Sequence, residues 1–197
     1  MEKLDKDFYL NDNVTDVALK LLGKVLCTEV NNIVTKGIIV ETEAYSGRND
    51  KACHANNGRR TRRNEVMYAE GGVAYVYFCY GIHTMFNVVT NIKNEADAVL
   101  IRAIEPIEGL EFMMERRGVI KPDRISSGPG NVSKALGMQL THNQVNLLGT
   151  EIWIEEAIDI PLENIISKPR IGVAYAGEDA LREWRYYVKD NKWISKK

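Results

Sequence analysis

The sequence predicts an α+β fold. It reads as a single domain over residues 1–197, built on a curved, mainly antiparallel, open-barrel-like sheet with a few outer helices and a protruding aromatic hairpin. Three observations predict it. Short β-branched and aromatic runs outnumber helical stretches. Most of these runs are joined by turn residues at hairpin spacing. Finally, 197 residues with 45% hydrophobic content can bury one good core, and no linker, internal repeat or low-complexity segment divides them.

Taken in order, residues 13–23 predict a helix. Val14, Val17, Ala18, Leu21 and Leu22 recur at helical spacing, with Asp12 or Asn13 as cap and Gly23 as stop. Residues 25–30 and 33–45 pair as a hairpin around Asn31-Asn32. A basic loop over 47–64 follows, with little regular structure. Residues 73–80 and 83–89 form a second hairpin with Tyr80-Gly81-Ile82 near its tip, where small polar residues are the rule. Tyr75, Tyr77 and Cys79 take one face and Val76, Phe78 and Tyr80 the other. Tyr75 and Phe78 are assigned to the core. Residues 98–104 (AVLIRAI) form a buried strand interrupted by Arg102, which needs an acidic partner. Glu43 is one candidate, and a structural bridge to another acid is an equal one. Pro106 opens a helix through Arg117, stopped by Gly118, with Phe112, Met113 and Met114 as packing. Residues 126–130 lead into a helix over 131–136. Such a glycine-rich entry can hold a phosphate, although a tight turn explains it as well. Residues 151–155 and 170–175 predict strands, 179–184 a short helix, and 185–188 with 192–195 a closing hairpin.

The formal net charge of −1 counts mildly against nucleic-acid binding. The charge is uneven, however. Arg48, Lys51, Arg59, Arg60, Arg62 and Arg63 face Asp50 alone in the 47–64 loop, a local excess of about +5. Glu105, Glu108, Glu111, Glu115, Glu151, Glu155, Glu156 and Asp159 all come later, so one face can be basic. No apolar run is long enough for a membrane span. The N-terminus MEKLDKDFYL has no signal-peptide core. A soluble cytoplasmic protein is expected. Cys27, Cys53 and Cys79 are odd in number, far apart and without a CxxC, which predicts free thiols.

The chemistry concentrates between Gly37 and Asn87. Strand alternation puts Glu41, Glu43 and Tyr45 on one face, the glutamates about 7 Å apart. Glu is rarely buried, yet three aliphatics lead in and Ala-Tyr leads out. A carboxylate ending such a strand serves as base, ligand or arginine partner. Three functional readings follow. Glu41, Glu43, Cys53, His54 and His83 could hold a metal, but no HExxH, paired cysteine or helical His–His spacing supports it. Alternatively, a base-flipping glycosylase would use a carboxylate for water, aromatics for the extruded base and a wedge at the hairpin tip. A non-catalytic nucleic-acid-binding module would need only the hairpin and the arginines. The residues alone leave the last two level.

Together, GIIVETEAYSG, the following His54, GRRTRRN, YVYFCYG with Asn87 downstream, LIRAIEP and SGPGNVSKALGM resemble the alkyladenine (3-methyladenine) DNA glycosylases of the mammalian type, which also occur in bacteria. The resemblance runs from Phe8-Tyr9-Leu10 to Trp193-Ile194-Ser195. It implies a compact single domain acting, as a monomer and without metal or organic cofactor, on double-stranded DNA containing damaged purines. It further implies that Glu43 is the general base, with Arg102 and the Ile171 carbonyl helping to hold the water. Tyr45, His54 and Tyr77 would line the base pocket and Asn87 its floor, excluding guanine. Tyr80 would be the intercalating wedge, and Arg59, Thr61, Arg63 and Asn64 would lie in the phosphate-contacting loop. Glu41 is left structural. Two positions depart from the family pattern: Arg62 stands where proline is common, and Asn131 where lysine is.

Overall fold

The computed structural model describes residues 2–79 and 81–196. Helix α1 (Lys6–Tyr9), capped by Asp5, leads into α2 (Val14–Lys20), where the Asn13 side chain accepts from the Thr15 and Asp16 amides. The chain then enters β1 (Val25–Val30). It turns at Asn31 and Asn32, both at positive φ, into β2 (Ile33–Tyr45), a 13-residue strand. Asparagine tolerates that backbone region better than other non-glycine residues, which is why the turn sits there.

The aromatic hairpin is β3 (Ala74–Cys79) and β4 (His83–Thr90), followed by β5 (Asp97–Glu108). Helices α3 (Leu110–Arg117) and α4 (Pro129–Ala135) come next, then β6 (Ile152–Glu155), β7 (Ile165–Lys168) and β8 (Arg185–Val188). All eight strands belong to one antiparallel sheet, ordered β3-β4-β5-β2-β1-β6, with β8 added to β2 and β7 to β8. The sheet does not close on itself.

Strand β2 is central over most of its length. One edge pairs with β5; the other pairs with β1 up to Ile38 and with β8 from Glu41 to Glu43. Its glutamates are therefore flanked by backbone on both sides, and both are fully buried. Beside the glutamates the β2–β5 ladder carries two opposed bulges, apart from a third register shift at Lys36/Gly37. Register gains Val40 on β2 between Ile39 and Glu41, then Arg102 on β5 between Ala103 and Ile101. Bulges re-aim side chains and sharpen twist, and these two restore register while setting Arg102 level with both glutamates.

Beneath the sheet, Leu21, Leu22, Ile39, Phe86, Ile101, Ile104, Met113 and Val132 pack into the main core. Thr42 points the same way, its hydroxyl donating to the Ala18 carbonyl at 2.9 Å. Burying each large aliphatic contributes about 1.5–3 kcal/mol, so one face of β2 holds the fold and the other is left for chemistry. No described helix is long and apolar enough to cross a membrane. The three cysteines are free, and burial pushes the Cys27 and Cys53 thiols up to about 12.

Several elements differ from expectation. The helix expected from Pro106 starts only at Leu110, after Gly109 at positive φ. Pro106 instead extends β5, opposite Gly37 at a register shift, where a missing N–H is tolerated. Residues 170–175 are not a strand. Gly172 at φ 80° breaks the run, and a kinked 3₁₀ segment, Ala174–Leu181, follows. Residues 192–195 form no hairpin with β8, which pairs with β2 and β7. Phe78 is not core but 47% exposed, because β5 pairs with β4 only over Asn87–Thr90 and leaves the hairpin's outer half without a third strand. Tyr75, on the supported half, is buried as expected.

Candidate active site

Directly paired residues in an antiparallel sheet share a face. Glu43 pairs with Leu100, Leu100 with Asn87 and Asn87 with Tyr75, so one row crosses four strands. Tyr45 and Ala98 pair in the neighbouring row. This wall, the basic loop and residues 171–175 enclose a cavity of about 720 Å³. Tyr45, His54, Tyr77, Asn87, Arg102 and Ile171 line it, as do Arg59, Thr61, Arg63 and Asn64. Every residue expected at the site is thus a lining residue, with two exceptions. Glu43 lies behind the wall formed by Tyr45, Arg102 and Ile171, and Tyr80 lies outside the described residues.

The two glutamates differ in a way that matters for chemistry. A carboxylate has about four lone-pair sites. Glu41 takes four donors, three of them crowded on one oxygen: Oε1 accepts from Arg102 Nε (3.1 Å), Arg185 Nη1 (3.0 Å) and Ser195 Oγ (2.8 Å), and Oε2 from the Ser195 amide (2.6 Å); of these partners only Arg102 lines the cavity. Glu43 has three partners. Its Oε1 faces the Ile171 amide (2.7 Å) and Arg102 Nη1 (3.3 Å), and its Oε2 accepts from the Tyr45 hydroxyl (2.7 Å). One acceptor site remains on Oε2. Arg102 answers to both acids. Burial pulls its pKa down, Glu43 and Glu41 pull harder, and the net shift is up. Burial and the Glu43 charge likewise hold the Tyr45 phenol well above its usual range, so it donates throughout the working pH range.

The aromatic wall is ordered by contacts the sequence did not disclose. Arg170 lies 4.8 Å from the Tyr45 ring centroid and 5.2 Å from that of Trp184, and its guanidinium forks onto Asp50 (2.5 and 2.7 Å), both side chains fully buried. Asp50 was visible only as the lone acid of a basic loop, and that oddity was its signal. Arg170 was hidden in what read as a strand. His54 meets Tyr77 edge-on at 4.9 Å, and its Nδ1 lies 2.9 Å from the Tyr75 hydroxyl. The Asn87 amide donates to the Tyr75 carbonyl at 3.1 Å.

Burial, then Arg63 and Arg59, lowers the His54 pKa to about 4. The imidazole is therefore neutral at pH 7. The sign is that of a depressed group. Above pH 6.5 the folded and unfolded chains are both neutral at His54. Between 6.5 and 4 only the unfolded chain takes the proton, so stability falls, by roughly 3 kcal/mol at most. Denaturant unfolding of the parent and His54→Gln from pH 7 to 4 checks this: the variant should lack that part of the decline, and parallel curves would contradict it.

Asn64 organises the basic loop. Its Oδ1 accepts from the Thr61 amide (2.7 Å) and hydroxyl (2.9 Å), and its Nδ2 donates to the His54 (2.9 Å) and Arg59 (2.8 Å) carbonyls. Buried and fully bonded, it fixes the arginines beside it. Arg60 is spent on Glu65 and stacks on Tyr68. Arg63 lies 4.8 Å from the Tyr77 ring. Among the described residues, Arg59, Arg62 and Arg63 are exposed with no carboxylate in ion-pair reach. Asn131, by contrast, turns inward onto the Ser127 carbonyl at 2.7 Å. Lys51 also lines the cavity. Among the described residues no group of three His, Cys, Asp or Glu is placed to hold a metal.

A family model for methylpurine-DNA glycosylase matches residues 7–192. The chain belongs to the methylpurine-DNA glycosylase family. Full-length relatives agree. A protein of Chlorobaculum tepidum is 47% identical over 197 residues, covering 100% of this chain and 92% of its own. One of Chlamydia felis is 46% identical over 192 residues, 96% and 97% of the two chains. One of Borrelia garinii subsp. bavariensis is 43% identical over 196 residues, 98% and 100%. All three carry the provisional name 3-methyladenine DNA glycosylase. Membership makes this chain a DNA glycosylase, an enzyme of DNA repair, and sets aside the binding-module reading. In this glycosylase the family's motifs converge on one cavity.

Proposed function

We propose that this glycosylase hydrolyses the N-glycosidic bond of alkylated or deaminated purines, the class of 3-methyladenine, 7-methylguanine, hypoxanthine and ethenoadenine, in double-stranded DNA. The observation that carries the reading is that Glu43 keeps an acceptor position open on Oε2 while all three of its partners, Tyr45, Arg102 and Ile171, line a cavity walled by aromatic rings. A purine drawn out of the duplex lies against Tyr45, His54 and Tyr77, since every base has a π-face. As the bond to the base weakens, positive charge grows on the sugar. Glu43 stabilises that charge and takes a proton from water at its open site. Arg102 gives Glu43 a counter-charge at 3.3 Å, and the Tyr45 hydroxyl and Ile171 amide fix its orientation. The Ile171 carbonyl is a further candidate to hold the water. A 3- or 7-methylated purine is already cationic and leaves as the neutral base, whereas hypoxanthine or ethenoadenine, uncharged in DNA, takes up a proton from solvent as it leaves. The exposed Arg59, Arg62 and Arg63 provide phosphate contacts around the mouth.

Duplexes carrying each lesion, treated with enzyme and then alkali, test the reading: strand breaks at a lesion site support it, and none with any of the four defeats it. Tyr80 retains its proposed wedge role on sequence grounds. Tyr80→Ser should slow excision of a well-paired lesion more than of the same lesion opposite a poor partner, and equal slowing on both would remove that role. Asn87, on the sheet wall beside Leu100, is the proposed guanine-excluding residue. Asn87→Ser should raise excision of normal guanine relative to hypoxanthine, and an unchanged ratio would count against the assignment.

A further inference from the structure

We propose that Ser195, in the C-terminal segment, is a positioning residue for the reaction, acting through Arg102. The inference rests on the reading of Glu43 as the base.

Each nitrogen of the Arg102 guanidinium meets a different partner. Nε donates to Glu41 (3.1 Å), Nη1 faces Glu43 (3.3 Å), and Nη2 donates to Ser195 Oγ (3.2 Å). Three points fix the plane of the fork. Ser195 is the partner that is not an acid, and its hydroxyl proton goes on to Glu41 Oε1 at 2.8 Å. Its amide satisfies the other oxygen of Glu41 at 2.6 Å. Ser195 and Arg185 together satisfy Glu41, so Arg102 is not drawn wholly onto it. The segment is itself held down: Ser127 Oγ donates to the Trp193 carbonyl (2.6 Å), and Arg185 Nη1 to the Lys196 carbonyl (2.9 Å). A chain end without regular structure thus supplies two of the four donors on a buried carboxylate and one acceptor for the arginine beside the base.

Without the Ser195 hydroxyl, Glu41 lacks a donor and Arg102 lacks its third point. The guanidinium turns toward Glu41 and away from Glu43. The other groups facing Glu43 stay in place: Tyr45 on its own strand, Arg185 across the ladder on β8, and Arg170 behind Tyr45. A carboxylate that loses part of its cation protonates at higher pH, so the acid limb of the rate profile moves up. A merely structural serine would not move it.

The test is single-turnover excision from a lesion duplex at saturating enzyme, from pH 5 to 9, for the parent, Ser195→Ala, Ser195→Thr and Glu43→Gln, with DNA affinity and thermal midpoint measured alongside. Ser195→Ala should be slower by about tenfold, the scale of one hydrogen bond to a charged group. Its acid limb should lie at higher pH and its DNA affinity should be unchanged, and Ser195→Thr should restore most of the rate. The proposal is overturned if Ser195→Ala matches the parent, if its rate falls only in step with stability while the acid limb stays put, or if threonine does not rescue. If Glu43→Gln excises at the parental rate, the base assignment falls and takes this proposal with it. If Glu43→Gln is inactive and Ser195→Ala matches the parent, only the positioning role falls.

Discussion

Glu43→Gln should lower single-turnover excision by at least about 10²–10⁴-fold, the usual worth of a general base, with lost charge stabilisation adding to it. Lesion-DNA binding should persist. Glutamine keeps the shape: its one oxygen can still accept from the Ile171 amide, and its NH2 can donate to the Tyr45 oxygen once that hydroxyl turns, so the change removes charge and basicity more than architecture. Glu41→Gln is the informative partner. Its side chain takes four donors from Arg102, Arg185 and Ser195. Breaking a buried charge cluster on one side costs about 3–5 kcal/mol, so this variant should suffer first in stability. A stable, parental-rate Glu43→Gln beside a dead Glu41→Gln would mean that the two roles are reversed.

Asp50→Asn should destabilise the fold by about 3–5 kcal/mol, because it leaves the Arg170 guanidinium buried without its counter-charge. The pair is fully buried, and Arg170 Nε has no partner among the described residues, so no alternative acid stands ready. Arg170 also donates to the Ala44 carbonyl (2.8 Å) and stacks on Tyr45, so excision should fall even where the variant remains folded. Equilibrium denaturation measures the first effect. A loss below about 1 kcal/mol, the range of a surface pair, would show that solvent reaches and compensates the site.

What could be read from the sequence was what lies in local pattern. Strand alternation put Glu43 and Tyr45 on one face, and they are hydrogen-bonded. The Asn31-Asn32 turn, the Asn13 cap and the protruding hairpin each depend on neighbours within a few residues. Ten of the residues named through the family motifs are among the 24 that line the cavity. What could not be read depends on partners distant in the chain. The paired bulges at Val40 and Arg102 exist only once β2 and β5 are in register. Asp50 and Arg170 are 120 residues apart, and Ser195 is 154 from Glu41. Pro106 carried a true helix-start signal that β-pairing with Gly37 overrode. Phe78 carried a true core signal that failed because no third strand reaches it.

The central claim is that water positioned by Glu43, and not an amine, displaces the base. Lys51 lines the same cavity, so the alternative has a named candidate. Incubating the parent with a 3-methyladenine duplex in the presence of borohydride separates the two. Attack by water predicts release of the free base, an abasic strand that stays intact until alkali is added, and no protein covalently attached to DNA. A borohydride-trapped protein–DNA adduct, with the strand cut before alkali, would contradict it.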